Sequence, residues 1–447
     1  MSTTRIDLAQ ATDLTEATRW VYDPDKELSA GAALRHVHLE QISNEKLGLT
    51  TYATGQVWLH RVAPASGVIG TTYLYDGEDL ISRVAKQEIW RKSSLRVSQN
   101  RNGSLKLECV QRIETDGSVV SAGNINLGTY SGDLDDFEIP SDEDYVLVAT
   151  LDVGYDFKTV ARIAADYSGL RGDTANRAVW LCLENETFRL NVTERASDRG
   201  IGLLTHTLPA AVLHPLRLAF QGRHITRIAD IVEETPTLTV HVDSLEQPTR
   251  VRFRGFGGWV DLPIIPDYHC RALSQGAMGV FLGENYVRTE SQPVFFNVEE
   301  LEDGVAIQAP QKKATRNDVV LELEDQKLLV SKRSDIRRSE LSSIPLHEAT
   351  ETEWVDIVVD HTYLTDGIAA LDSFLKAADK RASAGTFAVE DETAPVSVKL
   401  VSLTQSICTA SNIHLLLLKP ALENEYECQV ALIVNTKAQT NDYNEAD

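Results

Sequence analysis

The alternating stretch Leu34-Arg35-His36-Val37-His38-Leu39-Glu40 limits most strongly what this chain can fold into, because related versions of it occur twice more. The second is Ala178-Val179-Trp180-Leu181-Cys182-Leu183-Glu184, and the third is Val319-Val320-Leu321-Glu322-Leu323-Glu324. Apolar residues at every second position predict a strand. Each stretch follows a segment with helical spacing and precedes a second strand that ends in a polar loop. The starts lie roughly 140 residues apart, the size of a domain rather than of a solenoid repeat. A chain of 447 residues has room for three such units at about 150 residues each. The expected fold is α+β: three copies of one domain over 1–142, 143–285 and 286–422, followed by a polar tail over 423–447.

Apolar spacing predicts the helices. The first covers 8–21, with Leu8, Ala11, Leu14, Ala17 and Val21 near one side and Arg19 elsewhere. The second follows Asp76, which is placed to cap it. It turns Leu80, Ile81, Val84 and Ala85 inward and carries Arg83 and Lys86 on a shared face. A helix from Asp156 holds Lys158 and Arg162 four residues apart, and therefore on one face. The next turns Ile225, Ile228, Ala229 and Val232 inward and carries Arg223 and Arg227. A fifth is expected over 295–307. The sixth buries Leu364, Ile368, Leu371 and Leu375, with Lys376 and Lys380 near its end.

Charge and motifs narrow the function. The formal net charge is −23, which argues against a surface coated with nucleic acid. A nucleic-acid partner is compatible with it only if basic residues gather on one surface. No apolar run approaches the roughly 18 residues of a membrane span, and the N-terminal residues show no apolar signal core. The five cysteines are scattered without a CxxC, as expected of reduced thiols in a cytosolic protein. His36 and His38 share a strand face, but no nearby ligand in sequence completes a metal site. Gly255-Phe256-Gly257-Gly258 lacks the Lys and helix of a phosphate loop and reads as a hairpin turn. Nucleophile-elbow, zincin and Walker patterns are absent. The reading is a non-enzyme with no cofactor and no metal.

Four short segments carry a family likeness: Asp136-Phe137-Glu138-Ile139-Pro140, Ile265-Pro266-Asp267-Tyr268, Tyr363-Leu364-Thr365-Asp366 and Leu417-Leu418-Lys419-Pro420. In that order and spacing, with the threefold repeat, the chain up to Leu422 resembles the bacterial beta sliding clamp, the processivity ring of the replicative DNA polymerase. The resemblance implies two subunits joined head to tail, six pseudo-equivalent domains, helices lining the hole and sheets outside. It implies a cytoplasmic, non-catalytic ring that tethers DNA polymerase and other DNA enzymes to duplex DNA, with no membrane partner.

Under that resemblance the DNA contacts are Arg19, Arg83, Lys86, Lys158, Arg162, Arg223, Arg227, Lys376 and Lys380. Lys and Arg contacts to phosphate are independent of sequence and sensitive to salt, which suits sliding. Ordinary solvated helix faces carry similar charges. The resemblance also implies an apolar groove that takes short peptides from the polymerase and the clamp loader. Its walls are Val179, Thr193, Ile201, Pro266, Arg271, Leu417, Leu418 and Pro420. Because alternate strand residues face opposite sides, one of Leu417 and Leu418 is expected in the core.

The chain departs from the family pattern in its length, in Lys419-Pro420-Ala421-Leu422 where a Met-Pro-Met-Arg-Leu-like end is usual, and in the loop 194–200. Gln429-Val430-Ala431-Leu432-Ile433 resembles a client peptide. For the tail this leaves docking in a groove, an extra strand or disorder. The alternative function is a clamp-shaped peptide-binding scaffold that does not load on DNA.

Overall fold

A computed structural model describes residues 6–8, 11–21, 36–53, 57–67, 73–77, 79–80, 82, 94–99, 105–112, 119–127, 139–152, 154–168, 178–193, 202–232, 237–266, 287–308, 318–332, 341–348, 350–385, 399–408, 413–421 and 427–436.

The described strands and helices can be set out in three passes of nine strands each, alike in outline. The first pass is β1 (Ile6–Leu8), α1 (Ala11–Val21), β2 (His36–Ser43), β3 (Lys46–Ala53), β4 (Val57–Pro64), β5 (Ser66–Gly67), β6 (Tyr73–Asp76), β7 (Ser94–Gln99), β8 (Leu105–Arg112) and β9 (Val119–Leu127). The second is β10 (Val146–Leu151), α2 (Gly154–Ser168), β11 (Ala178–Glu184), β12 (Thr187–Thr193), β13 (Gly202–Pro209), β14 (Ala211–Val212), β15 (Leu216–Gln221), α3 (Ile225–Asp230), β16 (Leu238–Val242), β17 (Arg250–Gly255) and β18 (Gly258–Pro263). The third is β19 (Arg288–Glu290), β20 (Val294–Asn297), α4 (Val298–Ala306), β21 (Asp318–Glu324), β22 (Lys327–Lys332), β23 (Ser342–Pro345), β24 (Ile357–Asp360), α5 (His361–Gly385), β25 (Leu400–Cys408), β26 (Ile413–Pro420) and β27 (Glu427–Thr436).

The alternating stretches that opened the sequence reading are β2, β11 and β21. Each forms an antiparallel hairpin with the next strand. Two of these hairpins turn through paired residues at positive φ, Asn185 and Glu186 in one and Asp325 and Gln326 in the other. Such turns match the twist of the flanking strands. Asp76 accepts a hydrogen bond from the backbone of Asp79 at 3.2 Å, which is the expected cap.

Three details differ from the sequence reading. Leu8 ends strand β1, so the first helix starts at Ala11. Phe295 lies in β20, and helix α4 begins after Asn297, whose side chain accepts from the amides of Glu299 and Glu300. Residues 427–436 fall in the segment set apart as a tail and take the extra-strand alternative, forming β27 after β26. By order β27 is the counterpart of β9 and β18, the last strands of the earlier passes.

The chain packs as two compact units, 1–154 with 227–264, and 155–226 with 265–447. Strand pairing explains why the division runs through the second pass. In the first unit, β18 pairs with β4, so one sheet runs β10-β16-β17-β18-β4-β3-β2-β6. A smaller sheet runs β5-β1-β7-β8-β9. In the second unit, β13 pairs with β27, which joins β15-β11-β12-β13 to β24-β21-β22-β23 and to β26 and β25.

In the first unit one face of the longer sheet lies under α1. There Val37, Leu39, Leu49 and Leu59 are buried, and Thr18 Oγ1 meets Tyr75 Oη at 2.8 Å. The opposite face carries a stack: Arg252 lies between the rings of Tyr145 (3.8 Å) and Trp259 (4.3 Å), and Trp259 stacks on His60 at 5.1 Å. Arg252 donates to Asp261 (2.9 Å), Asp142 (2.9 Å) and the carbonyl of Pro140 (3.1 Å). Tyr145 Oη also donates to Asp261. The segment Pro140–Tyr145, which leads into the second pass, is thereby fastened to β17 and β18.

Candidate nucleic-acid and partner interface

The cationic side chains proposed from the sequence are distributed unevenly. Arg19 lies exposed in the last turn of α1. On α2, burial of Phe157, Val160, Ala161, Ile163, Ala164 and Tyr167 leaves Arg162 exposed and Lys158 half-buried. Phe157 meets Phe188 of β12 edge-on at 5.9 Å, which fixes that helix on its sheet. Among the described residues none of Arg19, Lys158 and Arg162 is held in an ion pair. Arg223 falls in a 3-10 turn (Gly222–His224) before α3 rather than on the helix itself. Arg227 is half-buried on α3, which has only 6 residues.

Lys376 is exposed on α5 but is ion-paired with Asp372 one turn earlier. That hydrogen bond and charge raise its pKa, with Glu302 and Glu299 adding to the effect. Lys380 lies on the same helix. Arg83 and Lys86 fall outside the described residues.

The predicted groove residues do not share one face. Strand register decides this, because residues directly opposite each other on neighbouring strands point to the same side. Val179 pairs with Val192 and Phe220, and Leu418 pairs with Val430. A Cβ on Gly367 of α5 would lie 3.0 Å from Val430, so this side is the one that α5 covers. Leu417 pairs with Ala431, on the opposite side. There it joins Ala178, Trp180, Cys182, Leu203, Ala219 and Leu415 in one buried apolar cluster, with Ile265, Ile413 and Ile433 packed half-buried against it.

Thr193 stands in register with Leu203. Pro266 is exposed just after Ile265, whose amide donates to the carbonyl of Ala219 at 2.8 Å. Pro420 is half-buried at the end of β26. Ile201 and Arg271 fall outside the described residues. Ala178 and Trp180, one position to either side of Val179, lie on the Leu417 side. On a strand that shift moves a side chain to the other face. The alternation itself held the signal, since Val179 and Leu417 could not both line one surface in the observed register.

The apolar cluster grades into polar groups along the same face. Thr205 donates to Asn191 at 3.1 Å, and Arg217 donates to both oxygens of Glu184 at 3.0 Å. Gln429 of β27 stands opposite Thr205. Gln429-Val430-Ala431-Leu432-Ile433, which resembles a client peptide, is thus built into the sheet and pairs with β13 on one edge and β26 on the other.

The architecture defines a class before any comparison: a mixed α+β chain, mostly strand, with one helix-and-sheet order used three times. It is the fold of the bacterial beta sliding clamps, matched over the full length. The Caulobacter crescentus clamp superposes with a TM-score of 0.62 at 13% identity, covering 97% of this chain and 100% of that one. The Bacillus subtilis clamp gives 0.62 at 12% with the same coverage. The Helicobacter pylori clamp gives 0.59 at 14%, again over 97% and 100%. No family model matches the sequence, and no curated protein matches it. Among the described residues no helix is long and apolar enough to cross a membrane.

Proposed function

We propose that this chain is a DNA sliding clamp: a head-to-tail homodimeric ring that encircles duplex DNA and tethers a replicative polymerase, with no chemistry of its own. The observation that carries the reading is full-length likeness to solved clamps, 97% of this chain against 100% of theirs. A domain shared with an unrelated protein would match only part of the chain.

Two sheet edges support ring closure. β9 (Val119–Leu127) is an edge strand of 9 residues without a charge, and its Val120 is 47% exposed. β23 (Ser342–Pro345) ends the other unit's sheet, also uncharged, near exposed Leu341 and Ile307. An edge left long and uncharged, as β9 is, invites pairing with another chain, while the 4 residues of β23 limit how far the pairing can extend. In this reading β9 of one subunit pairs with β23 of the next, and the two-fold arrangement closes. Arg19, Lys158 and Arg162 supply weak phosphate contacts. In this reading a polymerase or clamp-loader peptide docks at the half-buried margin of the Trp180–Leu417 cluster, on Ile265, Ile413 and Ile433, through a few apolar anchors. The Caulobacter clamp holds a polyethylene glycol in a region assigned there to beta-motif tethering.

The test is the mass and shape of the purified protein, together with primer extension on primed circular DNA. A dimeric ring that lengthens the products of a partner polymerase is the expected result. A monomer or open assembly without stimulation would select the alternative, a peptide-binding scaffold that does not load on DNA.

A further inference from the structure

Helix α4 carries Glu299, Glu300, Glu302 and Asp303 and has no Lys or Arg. Capping explains the first pair, because carboxylates in a first turn are favoured by the helix dipole. The dipole gives no support to Glu302 and works against Asp303, which reaches the last turn. Helix α5 packs against α4. Its Lys376, 55% exposed, has its ammonium against Asp372, with the charges of Glu302 and Glu299 acting on it as well. Its positive charge is therefore already compensated by carboxylates. A cation compensated in this way releases no counterion on meeting a phosphate, and that release drives non-specific DNA binding. On α2, in the same unit, Lys158 and Arg162 share a helix face without an ion pair among the described residues. Phe157 of α2 and Phe374 of α5 contact Phe188 and His206. These two residues lie on one side of the β12–β13 ladder, in register through Leu208 and Leu190, so the helices cover the same face.

We infer that the α4 face, with the adjoining Lys376–Asp372 pair of α5, is a phosphate-repelling wall, and that in this unit the duplex is contacted through Lys158 and Arg162 rather than through Lys376. The inference rests on the sliding-clamp reading and departs from an evenly cationic lining. One repelling surface keeps the total attraction small, which free sliding requires.

The experiment measures binding of the full-length protein to a short fluorescent duplex by anisotropy, at salt between about 50 and 200 mM. K158Q/R162Q is expected to lower the slope of log affinity against log salt by about 2, one per lost phosphate contact. K376Q is expected to leave the slope unchanged. E302Q/D303N, which keeps the capping carboxylates, is expected to tighten binding about three- to tenfold at low salt, with the gain fading as screening grows. E299Q/E300Q repeats the test at the other end of α4, and circular dichroism confirms that each variant is folded. A slope loss of about 1 for K376Q, or no gain from either acid-to-amide pair, overturns the wall and leaves the clamp reading standing. If the unaltered protein binds no duplex at all, both fall.

Discussion

Replacing Asp261 by asparagine tests what holds the first unit together. Asp261 is fully buried and receives Arg252 at 2.9 Å and Arg250 at 2.7 Å, together with the Tyr145 hydroxyl. Burial, and then the Asp261 charge, push the Tyr145 hydroxyl pKa upward, so it stays a donor. Arg252 is itself only 1% exposed, and its one other carboxylate partner, Asp142, is half in solvent. The amide of D261N keeps the shape and one acceptor but leaves a buried guanidinium short of its charge partner. Breaking one side of a buried pair costs roughly 3–5 kcal/mol. The retained acceptor puts this case near about 3 kcal/mol, a large share of a typical 5–15 kcal/mol domain stability. Urea unfolding followed by tryptophan fluorescence reads the change, because Trp259 lies on Arg252. With a slope of about 2 kcal/mol per molar urea, the midpoint of the first transition falls by about 1.5 M. R252M/D261L removes the fully buried pair but leaves Arg250 and the Tyr145 hydroxyl without Asp261, so it is expected to regain only part of the loss. A fall below about 0.5 M for D261N, the size expected of an exposed pair, would refute the claim that this ion pair holds the β17–β18 junction to the Pro140–Tyr145 segment.

Three further outcomes are expected. His206 is fully buried, and among the described residues neither ring nitrogen has a hydrogen-bond partner; burial lowers its pKa from 6.5 to about 3. The unfolded chain then binds the proton first, so stability is lost as pH falls from about 6.5 towards 3, by up to roughly 4–5 kcal/mol. H206L should flatten that part of a pH-dependent melting curve, and an unchanged curve refutes the assignment. Gly258 has φ +148, and a Cβ there would lie 2.0 Å from the carbonyl oxygen of His60. G258A is expected to cost about 2 kcal/mol or more through strain at the β18–β4 approach, read by the melting temperature. Truncation after Leu422 removes β27 and takes a partner from β13, β24 and β26 at once. The expected result is loss of cooperative unfolding of the second unit by circular dichroism, whereas a mere tail would leave the melt unchanged.

Periodicity in the chain was enough for the local elements. Alternation marked β2, β11 and β21, and apolar spacing correctly buried Ile225, Ile228 and Ala229 on α3, with Val232 buried just past its end, and Leu364, Ile368, Leu371 and Leu375 on α5. These patterns are local because a strand repeats every two residues and a helix every 3.6. The threefold order, and with it the fold class, followed from the same information. Tertiary structure alone decided which side of each strand met which neighbour. Val179 and Trp180 are equally apolar, and nothing within β11 says which of them joins Leu417. The register across β12, β13, β27 and β26 settles it, through pairs such as Leu203 with Ala431 that are distant in sequence. The same long-range pairing turned a polar-looking C-terminal segment into the strand that joins two sheets. Charge divides the same way: the four-residue spacing of Asp372 and Lys376 is legible in the sequence, whereas the α4 acids are brought alongside Lys376 only by helix packing.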